Sequence, residues 1–221
     1  ESWATRYSSE VDSTIFTKDP ENEFLSMAKR KGDDHEYKIL KRYQDEKLSI
    51  KMIPDSGPRE ERLDATKQAM LDGLDIIYQG SLENEFFFGK TDFLVKTYGD
   101  SNLGNYRYEI LDAKLARRAK AEHIIQLSCY RELLENIQGK VSDNASLIYG
   151  DGELERFNLD NYDSFYKALR EKFFNFHASF NPDNIPDPAS YDEWGIYSEY
   201  AKNIIQQTNN LSNIAGIRKS Q

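Results

Sequence analysis

The sequence predicts a mixed α/β fold, and three observations carry that prediction. A stretch with helical periodicity opens at Asp19-Pro20 and runs to about Lys47. Three strand-like segments follow closely, at 76–79, around Asp92 and around Asp112. A second long helical stretch, about 115–138, then leads into another strand-like run at 146–149.

Taken in order, residues 1–18 are polar and aperiodic and are expected to be irregular. Asp19 followed by Pro20 is a capping residue before a first-turn proline. Leu25, Ala28, Gly32, His35, Ile39 and Tyr43 then recur at three- and four-residue spacing, so they share one helical face. Ser56-Gly57-Pro58 breaks the chain, and a second helix is expected from Arg59 to about Asp72. Ile76-Ile77-Tyr78-Gln79 reads as a first strand. Phe86 to Val95, with Asp92 inside it, reads as a buried strand of apolar, aromatic and β-branched residues. The turn-rich Gly99 to Asn105 joins it to the strand around Asp112, giving an antiparallel meander. The next helix, from about Leu115 to Gln138, carries the stripe Ala116, Ala119, Leu127, Tyr130, Leu134 and Ile137, with Gly139 as its stop. Ser146 to Tyr149 is a fourth strand and Tyr162 to Phe176 another helix. A proline-punctuated connector at 181–188 precedes a last helix at about 195–207 and a polar tail.

The 221 residues include 30% charged and 38% hydrophobic residues, the composition of a soluble globular protein, and are expected to form one domain. Its core is expected at about 20–177, with a helical appendage at about 181–221. No apolar run is long enough to span a membrane and no signal-peptide pattern opens the chain, so a cytoplasmic setting is expected. The single Cys129 leaves no internal disulfide and no cluster of cysteine ligands within the chain. A net charge of -9 argues against nucleic acid held by bulk attraction. It does not argue against a local site, because a divalent ion reverses the charge around gathered acids.

The residues that carry chemistry lie between Gly89 and Tyr130. Strand alternation puts Asp112 and Lys114 on one face and turns Ala113 to the other. Asp92 sits in an apolar run, where a carboxylate is costly unless something positive pairs with it. Two acids and a lysine converging on one strand edge point to a metal ion and an activated water. Gln126 and Tyr130, one helical turn apart, lie at the edge of the apolar stripe, where packing is the commoner role. Arg117, Arg118 and Lys120 form a basic cluster near the start of that helix, open to two readings: a solvated face or phosphate contact. His123, on the same helix, is called for by no motif.

Gly89-Lys90-Thr91-Asp92, then Asp112-Ala113-Lys114, then Gln126 with Tyr130, preceded by Gly32-Asp33-Asp34-His35-Glu36, resembles the RecB-like branch of the PD-(D/E)XK nuclease superfamily. The likeness spans roughly Phe24 to Gln138, and four short motifs in this order are more specific than any one alone. The resemblance implies a restriction-endonuclease-like core of helix, three-stranded meander, helix and strand, with additional helices. It implies a Mg²⁺- or Mn²⁺-dependent deoxyribonuclease of exonuclease type. Asp92 and Asp112 would hold one or two ions, with the Ala113 carbonyl and His35 completing the shell, and Lys114 would orient the attacking water. Gln126 and Tyr130 would shape the site and touch nucleic acid.

Many relatives of this branch carry four cysteines around an iron–sulfur cluster. Here the comparable stretch, Pro186 to Gly195, has none, so no cluster is expected and Tyr191 and Trp194 are expected to plug that region by packing. The ending Leu211 to Ile217 resembles the point where such proteins continue into further domains, so the chain is read as an excised or truncated nuclease domain, with DNA and a helicase-like domain as its expected partners. The alternative is a catalytically inactive module of the same fold that binds nucleic acid or assembles with such a partner. The intact pairing of Asp112 with Lys114 argues against it.

Overall fold

The computed structural model describes residues 2–20, 22–191 and 193–208. In chain order the elements are α1 (Ser2–Glu10), α2 (Glu23–Asp45), β1 (Ile50–Met52), α3 (Arg59–Leu71), β2 (Ile76–Tyr78), β3 (Ser81–Glu83), β4 (Phe88–Lys90), β5 (Phe93–Ser101), β6 (Gly104–Lys114), α4 (Ala121–Gln138), β7 (Asn144–Tyr149), β8 (Leu154–Asn158), α5 (Asp163–Ala178) and α6 (Ser198–Gln207). The fold is mixed α/β, as the sequence predicts.

Among the described residues, six strands form one sheet in the order β1-β2-β5-β6-β7-β8, and β3 pairs only with β4. The β2–β5–β6 meander is antiparallel, and β6 runs parallel to β7. That parallel step needs a crossover, which α4 supplies. Alternation along the strands sorts their side chains between two layers. Ile76, Phe93, Leu111 and Ile148 pack with Ile39 and Leu40 of α2. Ile77, Leu94, Tyr108, Ile110 and Leu147 pack with Ala69 and Met70 of α3 and with Ile124, Leu127, Leu133 and Leu134 of α4. The buried Gln138 amide accepts from the Tyr108 N–H at 2.9 Å and donates to the Tyr108 carbonyl at 3.1 Å, fastening the end of α4 to β6.

The residues cluster into two compact units. One, Ser26–Ala168, holds the sheet and all the predicted site residues. The other takes the described residues up to Leu25 and from Leu169 onward. Its core is aromatic: Tyr7, Phe16 and Tyr197 are buried, with Trp3, Phe180 and Tyr200 packed on them.

Several sequence expectations are corrected. Residues 2–10 are helical rather than irregular, with Trp3 and Tyr7 one turn apart in α1 and stacked at 5.1 Å, whereas 11–18 hold no helix or strand, as expected. Asp19 does not cap the helix that follows it. Its carboxylate accepts from the N–H groups of Ser198 and Glu199 at the start of α6, while Asn22 accepts from Phe24 in the first turn of α2. The α2 stripe is buried only from His35 onward, and Leu25 is exposed. Strands β1 and β8 pair at the sheet edges and were too short and too polar to read. Tyr191 and Trp194 do not plug their region: with Trp3, Phe176 and Tyr200 they line a cavity of about 200 Å³. Residues 211–217, read as a continuation point, lie outside the described residues.

Candidate active site

The run around Asp92 is not one strand. Phe88–Lys90 pairs with Ser81–Glu83, whereas Phe93 pairs with Tyr78 and Leu111, so the chain changes sheets at Thr91-Asp92. Thr91 fixes the crossing through its N–H to the Gly80 carbonyl at 2.8 Å. One further step of the β5–β6 register sets Asp92 beside Asp112. Asp92 Oδ2 accepts the Ala113 N–H at 2.7 Å, so the second acid motif positions the first.

Asp112 is 1% exposed, on the α4 side of the sheet with Ile110 and Tyr108. Apart from the Lys114 ammonium, neither of its carboxylate oxygens has a hydrogen-bond donor among the described residues. The compensating charge is Lys114, two residues along the same face, with Nζ 2.5 Å from Oδ2. Burial holds the Asp92 carboxyl well above the usual carboxylate range, and the charges of Asp112 and Glu36 push it further.

Glu36 follows His35 in the histidine motif, which by itself gives this carboxylate no role. Its Oε2 accepts from the Tyr78 hydroxyl at 3.1 Å and from Gln79 Nε2 at 2.5 Å. Burial raises its pKa against those two donors, with Asp33 and Asp112 adding to the rise. Gln79 has a left-handed backbone, φ 59°, unusual for a residue with a side chain, and its N–H donates to the Asp92 carbonyl. Glu36, Asp92 and Asp112 therefore act on one another at the corner where β2 ends, β5 begins and β6 ends.

His35 is buried, with Nε2 3.2 Å from the Ile148 carbonyl oxygen. A proton donated along that contact leaves Nδ1 as the lone-pair nitrogen. His123 is buried on α4, and its Nδ1 accepts the Lys120 N–H at 3.3 Å. Burial and then the nearby Lys114 ammonium push its imidazole towards the neutral form.

Gln126 and Tyr130 belong to one chain of hydrogen bonds. Gln126 Nε2 donates to the Tyr130 hydroxyl at 2.9 Å, and that hydroxyl donates to the Lys90 carbonyl at 2.8 Å. Burial raises the Tyr130 hydroxyl to about 12, with Asp112 and Asp92 adding to the rise, so it stays protonated and remains a donor. Tyr130 packs so close to Gly89 that a Cβ there would lie 2.7 Å from its ring. The glycine of the first acid motif thus exists for the tyrosine of the helix motif.

Arg117, Arg118 and Lys120 are exposed, but α4 begins only at Ala121, so they lie on the β6–α4 loop and not on the helix. Lys120 meets Glu122 at 3.2 Å.

Among the described residues, no three His, Cys, Asp or Glu side chains stand together as a ready-made metal site. The donors still suit a hard divalent ion. Mg²⁺ is commonly held by one or two carboxylates with water completing its shell. Here one carboxylate is buried with only the Lys114 ammonium as a donor among the described residues, and its neighbour carries a charge that burial and like charges disfavour. A dication relieves both.

No helix among the described residues is long and apolar enough to cross a membrane. No protein-family model matches the chain, and no curated protein is significantly similar to it.

Proposed function

We propose that the chain is a metal-dependent nuclease of the RecB-like type, hydrolysing phosphodiester bonds in DNA. The observation that carries this reading is the Asp112 carboxylate, which is buried, has Lys114 as its compensating charge and no further hydrogen-bond donor among the described residues, and lies one register step from Asp92. A merely structural ion pair would not require a second acid held beside it at the cost of a raised pKa. The order of α2, the β2–β5–β6 meander, α4 and β7 supports the restriction-endonuclease-like assignment.

Asp92 and Asp112 would hold Mg²⁺ or Mn²⁺, with the Ala113 carbonyl and His35 as further donors. A bound divalent ion would acidify an attacking water and neutralise the phosphate oxygens. The chain's own residues do the rest. The Ala113 N–H orients the Asp92 carboxylate. Lys114 leaves Oδ2 of Asp112 and turns its ammonium to the attacking water and the charge growing on phosphorus. Tyr130, fixed by Gln126, holds the backbone at Lys90 and so keeps Asp92 in place.

Incubation of linear and circular DNA with the protein and Mg²⁺ or Mn²⁺, with and without EDTA, tests the reading, with Asp112→Asn as the control. Cleavage should need the metal and should vanish in Asp112→Asn. Binding without cleavage would favour the inactive-module alternative, which the net charge of -9 makes worth testing. Cleavage that survives both EDTA and Asp112→Asn would sink the proposal.

A further inference from the structure

Of the β3–β4 hairpin, only β4 falls within the run whose sequence reads as a strand leading to Asp92, and the hairpin's outer face has no part in the chemistry above. Its inner face is pinned. Leu82 is fully buried, and Phe87 packs on the sheet core. Asn84 Oδ1 accepts the N–H groups of Phe86 and Phe87 at 2.9 and 2.8 Å, tying the turn. Asn84 Nδ2 donates to Glu132 and Asn136 Nδ2 to the Glu83 carbonyl, fastening the hairpin to α4. The Ser81 N–H donates to Thr66 on α3. The hairpin is thus held at both of its strands and at its turn.

Against that rigid inner face, Phe86 is 55% and Phe88 38% exposed. Alternation puts Phe88 and Lys90 together on the side away from Gly89, which faces Tyr130. The Arg59 guanidinium lies 4.3 Å from the Phe88 ring centre and Arg62 5.6 Å from it. Lys90 meets Asp55 at 2.6 Å and Arg59 meets Glu83 at 2.6 Å, both exposed pairs that a phosphate could replace at little cost. Lys29 also reaches Asp55 electrostatically, alongside Lys90 and Arg62. Arg59, Arg62 and Lys90 thus gather around the exposed Phe88, with Glu83 and Asp55 as the counter-ions of Arg59 and Lys90.

Resting on the nuclease reading, we infer that the outer face of the β3–β4 hairpin is a docking platform for single-stranded DNA, stacking bases on Phe86 and Phe88 and pairing phosphates with Arg59, Arg62 and Lys90. Stacking and guanidinium contacts need an unpaired base with its face free, which a duplex withholds. Phe88 is four residues from Asp92, so the platform lies at most about 14 Å along the chain from the proposed site.

The test uses the full chain with Ca²⁺ in place of Mg²⁺. Binding of a fluorescent single-stranded oligonucleotide is compared with binding of the same sequence as a duplex. The single strand should bind at least tenfold more tightly. Phe86→Ala with Phe88→Ala should weaken it by about tenfold or more, on the scale of base–aromatic stacking, and should leave duplex binding unchanged. Phe88→Trp should keep wild-type affinity, which separates lost stacking from lost folding. Equal affinity for both forms, or single-strand binding insensitive to the double alanine variant, would overturn the inference while leaving metal-dependent cleavage intact. Single-strand binding that depends on Phe88 but is never followed by cleavage in Mg²⁺ would keep the platform and reject the nuclease reading. Failure of the wild type to bind either form would reject the platform.

Discussion

Lys114 has two roles that a sequence motif cannot separate. A lysine placed to act on water is dispensable for folding, and from sequence alone its loss should leave stability nearly unchanged. The structure adds a constraint, because its ammonium is the compensating charge 2.5 Å from a carboxylate that is 1% exposed. Lys114→Ala should therefore abolish cleavage and also destabilise the metal-free protein. The loss should be roughly 2–3 kcal/mol, below the 3–5 of a fully buried broken pair because Lys114 is partly exposed. Mg²⁺ should restore much of it by supplying the missing charge. Thermal melts of the variant in EDTA and in Mg²⁺ check this, and superimposable melts would show that Asp112 needs no cation. Gly89 is a second residue whose importance is steric. Gly89→Ala forces its methyl to within 2.7 Å of the Tyr130 ring, so either β4 or α4 must yield. Overpacking of this kind costs about 1–3 kcal/mol. Tyr130→Ala in the same chain should relieve the Gly89→Ala clash, which a double-mutant cycle by urea unfolding would measure.

Between elements, polar side chains decide which pieces stay joined. Strand β1 has only three residues, and its attachment beside β2 is reinforced just before both strands begin. The Asp75 carboxylate accepts the Ser49 hydroxyl at 2.6 Å and the Ser49 N–H at 2.9 Å, while the Asp75 N–H donates back to the Ser49 hydroxyl. Those two bonds, aided by Lys96 at 3.3 Å, hold the Asp75 carboxyl below the usual range. A carboxyl with a lowered folded pKa binds fewer protons folded than unfolded. Its contribution is therefore full above the ordinary aspartate value, about pH 4, and is lost as pH falls through the depressed folded value. Asp75→Asn should remove that acid-side dependence. Stability measured by denaturant between neutral pH and about pH 3 should fall less steeply in the variant than in the wild type. An unchanged slope would mean that the Ser49–Asp75 clasp does not persist in solution.

At the scale of the whole molecule, an acidic protein must grip a polyanion through few contacts. Affinity for DNA in Ca²⁺ should fall only gently with salt, with a slope corresponding to roughly two to four neutralised phosphates. Withdrawing the divalent ion should weaken binding, since Asp92 and Asp112 would then face the backbone with bare charge. Arg117 and Arg118, exposed on the β6–α4 loop, remain candidates for part of that slope. Reversing both charges should reduce the slope by at most the contacts they make and leave metal affinity unaltered. A steep slope without metal dependence would require a larger basic surface than the hairpin and this loop provide. The division into two units sets a further limit. All residues proposed for chemistry lie within Ser26–Ala168, so the aromatic unit formed by the two ends of the chain contributes none of them.

The sequence by itself determined the α/β class, the meander, the crossover helix and its glycine stop, because each rests on local periodicity or on a single residue's backbone preference. It also singled out Asp92, Asp112, Lys114, Gln126 and Tyr130 as residues worth locating. Only the tertiary structure decided what each of them touches. The break at Thr91-Asp92 arises because neighbouring residues pair with different sheets, and no run of apolar residues records that change. Glu36 reached the acid corner through donors on Tyr78 and Gln79, more than forty positions away in the chain. The partnership of Gly89 with Tyr130, and of Asp19 with α6, is likewise a matter of which surfaces meet. Local propensity is written along the chain, whereas packing and charge pairing depend on distances that exist only once distant segments have been brought together.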